Sequence, residues 1–161
     1  MATLTVTITE SLPDYNGADN DLTLTNALAV SGVDDIYHRI ITCPANSETR
    51  LVDFHSSVAD ATVSAMDVQN VKYIRVTNID SSNPVTLNMQ IDRGEDDSAA
   101  DESASVLLEA KKSFMLGSPH DGIAVSDANA NMITDLVDLE SLIVQPGGNT
   151  VQVEIFIASV V

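Results

Sequence analysis

Along much of this chain, apolar and polar residues alternate one for one. In "TLTVTIT" (Thr3–Thr9), Leu4, Val6 and Ile8 fall on one face and threonines on the other. "VTLNMQI" (Val85–Ile91) sets Val85, Leu87, Met89 and Ile91 against Thr86, Asn88 and Gln90. "VQVEIFIA" (Val151–Ala158) sets Val151, Val153, Ile155 and Ile157 against Gln152, Glu154, Phe156 and Ala158. A period of two is the signature of a strand with one buried face. Less regular segments read as further strands at Ile36–Cys43, Thr49–Phe54, Val71–Thr77, Leu139–Gln145, Val106–Leu108 and Ser113–Leu116, with weaker signals at Leu22–Leu24 and Gly122–Val125.

The punctuation agrees. "NIDSSNP" (Asn78–Pro84) and "CPANSE" (Cys43–Glu48) are runs of turn formers. "PGGN" (Pro146–Asn149) joins two strong strands through two glycines, and "DYNGADND" (Asp14–Asp21) ends the first strand. Eight to ten short strands spaced by such turns predict an all-β chain, an antiparallel β-sandwich of jelly-roll type. Residues 1–161 are expected to form a single sandwich domain, with 1–21 as an N-terminal strand or arm. That segment either pairs within its own sandwich or adds to a neighbour's open sheet edge. Two stretches carry some helical character, "SSVADATVSAMDV" (Ser56–Val68) and "AADESASVLLEAKK" (Ala99–Lys112). The first is expected as loop or short helix, the second as acidic loop followed by strand.

Composition narrows the function. Apolar residues make up 44% of the chain, mostly aliphatic, with aromatics at 4% and no Trp, a supply that suits pleated sheet. The net charge is −17, and all seven Lys and Arg lie between positions 39 and 112. Such a surface repels phosphate backbones, so nucleic acid is not an expected partner. Neither a basic, apolar leader nor a run of ~20 apolar residues is present, so a soluble protein without a membrane partner is expected. The lone Cys43 reads as a small buried hydrophobe.

Candidate chemistry is thin. His38, His55 and His120 are isolated, and none stands in a metal-binding spacing. No nucleophile elbow, P-loop or dinucleotide fingerprint occurs, so no catalytic, cofactor-binding or metal residue is assigned and no enzyme is expected. The best alternative is calcium: Asp14, Asn16, Asp19 and Asp21 surround Gly17, but the spacing departs from the EF-hand loop. A glycan-binding cleft is disfavoured by the scarcity of aromatic platforms. In the hairpin Lys72–Asp92, Lys72, Tyr73 and Arg75 bring positive charge and an aromatic ring to one strand, which makes them candidate contact residues.

The segments "VKYIRVTNIDSSNPVTLNMQI", "SVLLEAKKSFMLG" and "LESLIVQPGGNTVQVEIFIASVV" together resemble the virion structural proteins of tailed bacteriophages. The likeness covers residues 70–161. It implies a small β-sandwich that decorates and stabilises the capsid, a cement protein. Its implied partners are the major capsid protein and further copies of itself, as a homotrimer, and its implied place is the capsid surface after synthesis in the host cytoplasm. A tail, collar or fibre component is the alternative within the virion, and a calcium- or glycan-binding sandwich is the alternative outside it. The likeness carries no catalytic residue and no cofactor.

Overall fold

The computed structural model describes residues 2–14, 21–55, 65–91, 102–117, 124–125 and 137–160. They form eleven strands: β1 (Ala2–Leu12), β2 (Leu22–Cys43), β3 (Thr49–His55), β4 (Ala65–Asp67), β5 (Val71–Asn78), β6 (Val85–Ile91), β7 (Glu102–Leu108), β8 (Ser113–Gly117), β9 (Ala124–Val125), β10 (Val137–Pro146) and β11 (Val151–Val160). A 3-10 turn (Val68–Asn70) leads into β5, its Gln69 N–H capped by the Asp67 carboxylate.

One sheet has the order β1-β2-β11-β5-β8, the other β4-β3-β10-β6-β7, with β9 paired to the start of β10. The pairs are nested. β6 pairs β7, β5 pairs β8, β3 pairs β10 and β2 pairs β11, all antiparallel. The chain therefore runs as one long double ribbon rolled into two facing sheets, the jelly-roll architecture expected from the alternation. The rolling sets the core-facing side chains of one sheet against those of the other. Ile74, Val76, Val151, Val153, Ile155 and Ile157 face Leu51, Leu87, Leu142 and Val144 in a single core. Cys43 lies in it, fully buried.

At one end of the sandwich the loops are stitched together by backbone bonds: Ile79 N–H to the Gln152 carbonyl (3.1 Å), Asn78 N–H to Lys112 (3.0 Å) and Asn46 N–H to Gly147 (2.9 Å). Asn78 is completely buried there. Its Nδ2 donates to the carbonyls of Asn83 (2.8 Å) and Leu108 (3.1 Å), and its Oδ1 accepts from the Asp80 N–H (3.0 Å). Asp80 in turn accepts from the N–H groups of Ser82 and Asn83, both at 2.8 Å. The polar loop after β5 is thus a closed hydrogen-bonded unit.

The long β2 departs from the expectation of short strands. Instead of separate pieces at Leu22–Leu24 and Ile36–Cys43, it runs for 22 residues. It does not stop between them; it bends. Gly32 has φ 75°, and the register with β1 shifts there. A second shift opposite β11 leaves Asp34 unpaired. Two bulges this close re-aim a strand without ending it. Of the two segments with helical character, the described part of the first (Ala65–Val68) is strand and 3-10 turn, its residues 56–64 lying outside the described residues. Residues 102–108 of the second form the strand β7, which begins earlier than the strand expected at Val106–Leu108, while the expected acidic loop at residues 99–101 lies outside the described residues.

Candidate interaction surface

The bend in β2 divides it into two working halves. Asp35–Cys43 pairs with β11 and belongs to the sandwich. Leu22–Val33 pairs with β1 instead, as a two-stranded ribbon. The N-terminal strand thus pairs within its own chain, though as an arm laid on the outside of a sheet.

Register determines which side chains share the arm's faces. Leu4 stands opposite Val30, Val6 opposite Leu28, Ile8 opposite Asn26, Glu10 opposite Leu24, and Leu12 opposite Leu22. Directly opposed residues point the same way, so these ten form one face, while Thr and Ala residues dominate the other. The proximal half of the apolar face is docked. Leu4, Val6, Leu28 and Phe156 pack on a cluster of Val30, Val33, Tyr73 and Ala158. Leu28 reaches as far as β8, where its Cδ2 would lie 3.0 Å from a Cβ added to Gly117. Glycine there leaves room for the arm. A groove of about 270 Å³ remains between Leu4–Thr7 and the side chains of Tyr73, Arg75 and Phe156.

The distal half of the same face is bare. Ile8, Leu12, Leu22 and Leu24 are 44%, 51%, 39% and 53% exposed. Scattered exposed aliphatics are ordinary, but several on one face of one ribbon form a contiguous patch.

The sheet surface under the arm is built from β11 and its neighbours. Tyr73 and Arg75 lie on this outer side, because Ile74 and Val76 between them face the core. The Glu154 carboxylate accepts from Arg75 Nη2 (2.9 Å) and meets His38 Nε2 at 2.8 Å. Phe156 sits among two rings and a cation: His38 and Tyr73 at centroid distances of 6.1 Å, and the Arg75 guanidinium at 5.7 Å. Burial pushes the Tyr73 phenol above its ordinary range, opposed by the nearby Arg75 charge. Further along the same face, Ile36 and Ile40 of β2 are 53% and 59% exposed. Their positions opposite Ala158 and Glu154 put them on the outer side.

The candidate contact residues are split by this arrangement. Tyr73 is 4% exposed, an anchor for the arm. Arg75 is engaged by Glu154 and Phe156. Lys72 is the extra residue of a bulge between β5 and β11, and its amine reaches back to the Gln69 carbonyl (3.4 Å). His38 is a surface imidazole with a carboxylate partner. His55 ends β3, and His120 lies outside the described residues. Of the oxygen donors around Gly17, the Asp14 N–H donates to the Asp21 carboxylate (3.2 Å), whereas Asn16 and Asp19 lie outside the described residues. Among the described residues, no group of three His, Cys, Asp or Glu side chains is placed to hold a metal ion. None of their helices is long and apolar enough to cross a membrane.

The arm's outward patch and the Ile36/Ile40 pair were not singled out from the sequence. The signal was present: "LTLTNALAV" (Leu22–Val30) carries Leu22, Leu24, Leu28 and Val30 in the same alternation as "TLTVTIT", and a turn former stands between the two.

The chain matches no family model, no curated protein and no solved structure.

Proposed function

We propose that this chain is a structural virion protein that decorates and stabilises a bacteriophage capsid through protein–protein contacts. The observation that carries the reading is the arm. A ribbon that buries one half of its apolar face and leaves the other half bare is suited to holding a neighbouring protein. The likeness of residues 70–161 to tailed-phage virion proteins supplies the setting, and a jelly roll suits a rigid, tightly packed coat component. The strongly acidic composition fits a particle filled with DNA, because such a surface does not adhere to nucleic acid. The major capsid protein is the partner in this reading.

The deciding experiment mixes the purified protein with expanded, undecorated capsids and measures co-sedimentation and capsid resistance to heat. Saturable binding that raises the disruption temperature is expected. Antibody labelling confined to the tail or collar would replace the capsid reading with a tail, collar or fibre role. Absence from the virion altogether would remove both.

A further inference from the structure

We propose that β1 receives an extended peptide segment of another protein along its free edge, in the groove over Tyr73, Arg75 and Phe156. Strand addition of this kind draws its affinity from main-chain hydrogen bonds and its selectivity from seats for alternate side chains.

The lining of the groove decides the mode. Leu4, Thr5, Val6 and Thr7 of β1 form one wall, and Tyr73, Arg75 and Phe156 of the sheet form the rest. A strand presenting one face contributes every second residue. Four consecutive residues mean that β1 meets the groove edge-on. Among the described residues none of β2 lines it, so this is the edge turned away from β2. β1 stands at the end of its sheet's strand order. Among the described residues, Leu4–Thr7 make no backbone bond outside their pairing with β2. In an antiparallel ladder every second residue turns both its N–H and its C=O away from its partner. Two of these four residues therefore each offer the groove a donor and an acceptor, and another main chain is the group that matches such a row.

The edge is also unguarded. Exposed edges are commonly blunted by Lys, Pro, bulges or shortness. β1 is 11 residues long, carries no Lys, Arg or Pro, and has its one register shift at Ala2/Thr3, clear of the groove. β8, at the opposite end of the sheet, is five residues long and follows directly on Lys111 and Lys112.

Floor and charge set the chemistry of the segment. Tyr73 and Phe156 offer an apolar floor. Met115, opposite Arg75 on β8 and pointing the same way, continues it and is 42% exposed. An added strand, about 4.8 Å from β1, therefore meets seats for aliphatic side chains at alternate positions. Residues 1–38 carry six acidic groups and no Lys or Arg, so Lys or Arg flanking the segment is favoured. A second copy of this chain, at −17, is repelled, which is why the segment is assigned to a different protein. The site is separate from the bare distal face at Ile8, Leu12, Leu22 and Leu24, and the inference does not rest on the virion reading.

The test titrates the nitrogen-15-labelled full chain with the capped peptide KTVTVTVK. Saturable binding is expected, with amide exchange slowed at alternate residues of Leu4–Thr7, either Leu4 and Val6 or Thr5 and Thr7. The other two amides are already bonded to β2 and should change far less. N-methylation of one set of alternate peptide residues is expected to weaken binding about tenfold or more, while methylating the other set leaves it intact. Glu in place of both Lys should weaken it several-fold, most strongly at low salt. Failure of KTVTVTVK to bind would overturn the site, as would indifference to both methylations or protection gained on β7 or β8 instead. Alternate protection that arises on concentrating the protein without peptide would make a second copy the occupant and overturn the assignment to another protein. If the peptide fails while the protein still adds to capsids, only this site falls. If the peptide binds as expected while the protein ignores every virion component, the site stands and the virion reading falls.

Discussion

Replacing Asn78 by Ala tests whether the loop end of the sandwich is held by one buried side chain. Three hydrogen bonds are lost. The bond to the Leu108 carbonyl is fully buried, and leaving that acceptor unmatched costs about 2 kcal/mol. The bonds to the Asn83 carbonyl and from the Asp80 N–H are partly buried and contribute about 1 kcal/mol each. The sum, about 4 kcal/mol, is a large share of the ~5–15 kcal/mol that holds a domain together. With a urea m-value of about 2 kcal/mol/M for a chain of this size, the midpoint falls by about 2 M. The melting temperature falls by about 8–16 °C. Urea titration followed by far-ultraviolet circular dichroism measures this, with an unchanged m-value as the sign that the native fold persists. Asn78→Asp is expected to do worse than Ala at neutral pH, since it sets a carboxylate against two carbonyls, and to recover partly in acid. A loss below about 1 kcal/mol, within the range of ordinary surface substitutions, would refute the assignment. So would Asp outperforming Ala.

Further outcomes follow from the same structure. Tyr73→Ala removes the ring beneath the arm, so amide exchange of Leu4–Thr7 and Leu28–Val30 should speed up while the core amides of β11 and β10 keep their protection; uniform acceleration would mean that Tyr73 supports the sandwich instead. Leu142→Ala, at a completely buried site in β10, should cost about 2–5 kcal/mol of unfolding free energy in the same titration. Hydrogen bonds from the Ser82 and Asn83 N–H groups hold the Asp80 carboxyl below its ordinary range. Its stabilising contribution is therefore complete above the usual carboxylate pKa and is lost as pH falls through the lowered value. Carbon-detected NMR should show Asp80 titrating below the ordinary carboxylate range, and Asp80→Asn should flatten the acid limb of stability. Burial raises the Cys43 thiol pKa, so a thiol reagent at neutral pH should react slowly with the native protein and promptly once urea unfolds it.

The strand faces were legible from the chain because period-two alternation is a local property. Val151, Val153, Ile155 and Ile157 enter the core as their spacing demands, and Phe156 stays out of it. The turn at Asn78–Pro84 was legible for a similar reason, since Asn78 and Asp80 organise a loop through bonds that span at most five residues, apart from the one to Leu108. The bend in β2 was harder to see. "SGVDD" reads as a loop, and only the pairing of Val33 with both Ala2 and Val160 keeps it a strand. Lys72 and Tyr73 look alike as neighbours of a candidate contact, yet the bulge at Lys72 and the arm over Tyr73 send one to solvent and the other into an anchor.

By itself, then, the sequence determined the all-β class, which face of each strong strand is apolar, and the acidic, base-free N-terminal segment. These follow from short-range chemistry: alternation, turn propensity and charge count. Tertiary structure alone decided how the strands nest into two sheets and that Tyr73 and Phe156 carry the arm. It also decided that Ile8, Leu12, Leu22 and Leu24 remain bare while their neighbours on the same face are covered. An alternating strand states that one face is apolar but not what will cover it. That depends on which distant segments arrive, and here the arm is longer than the sheet face its own chain offers it.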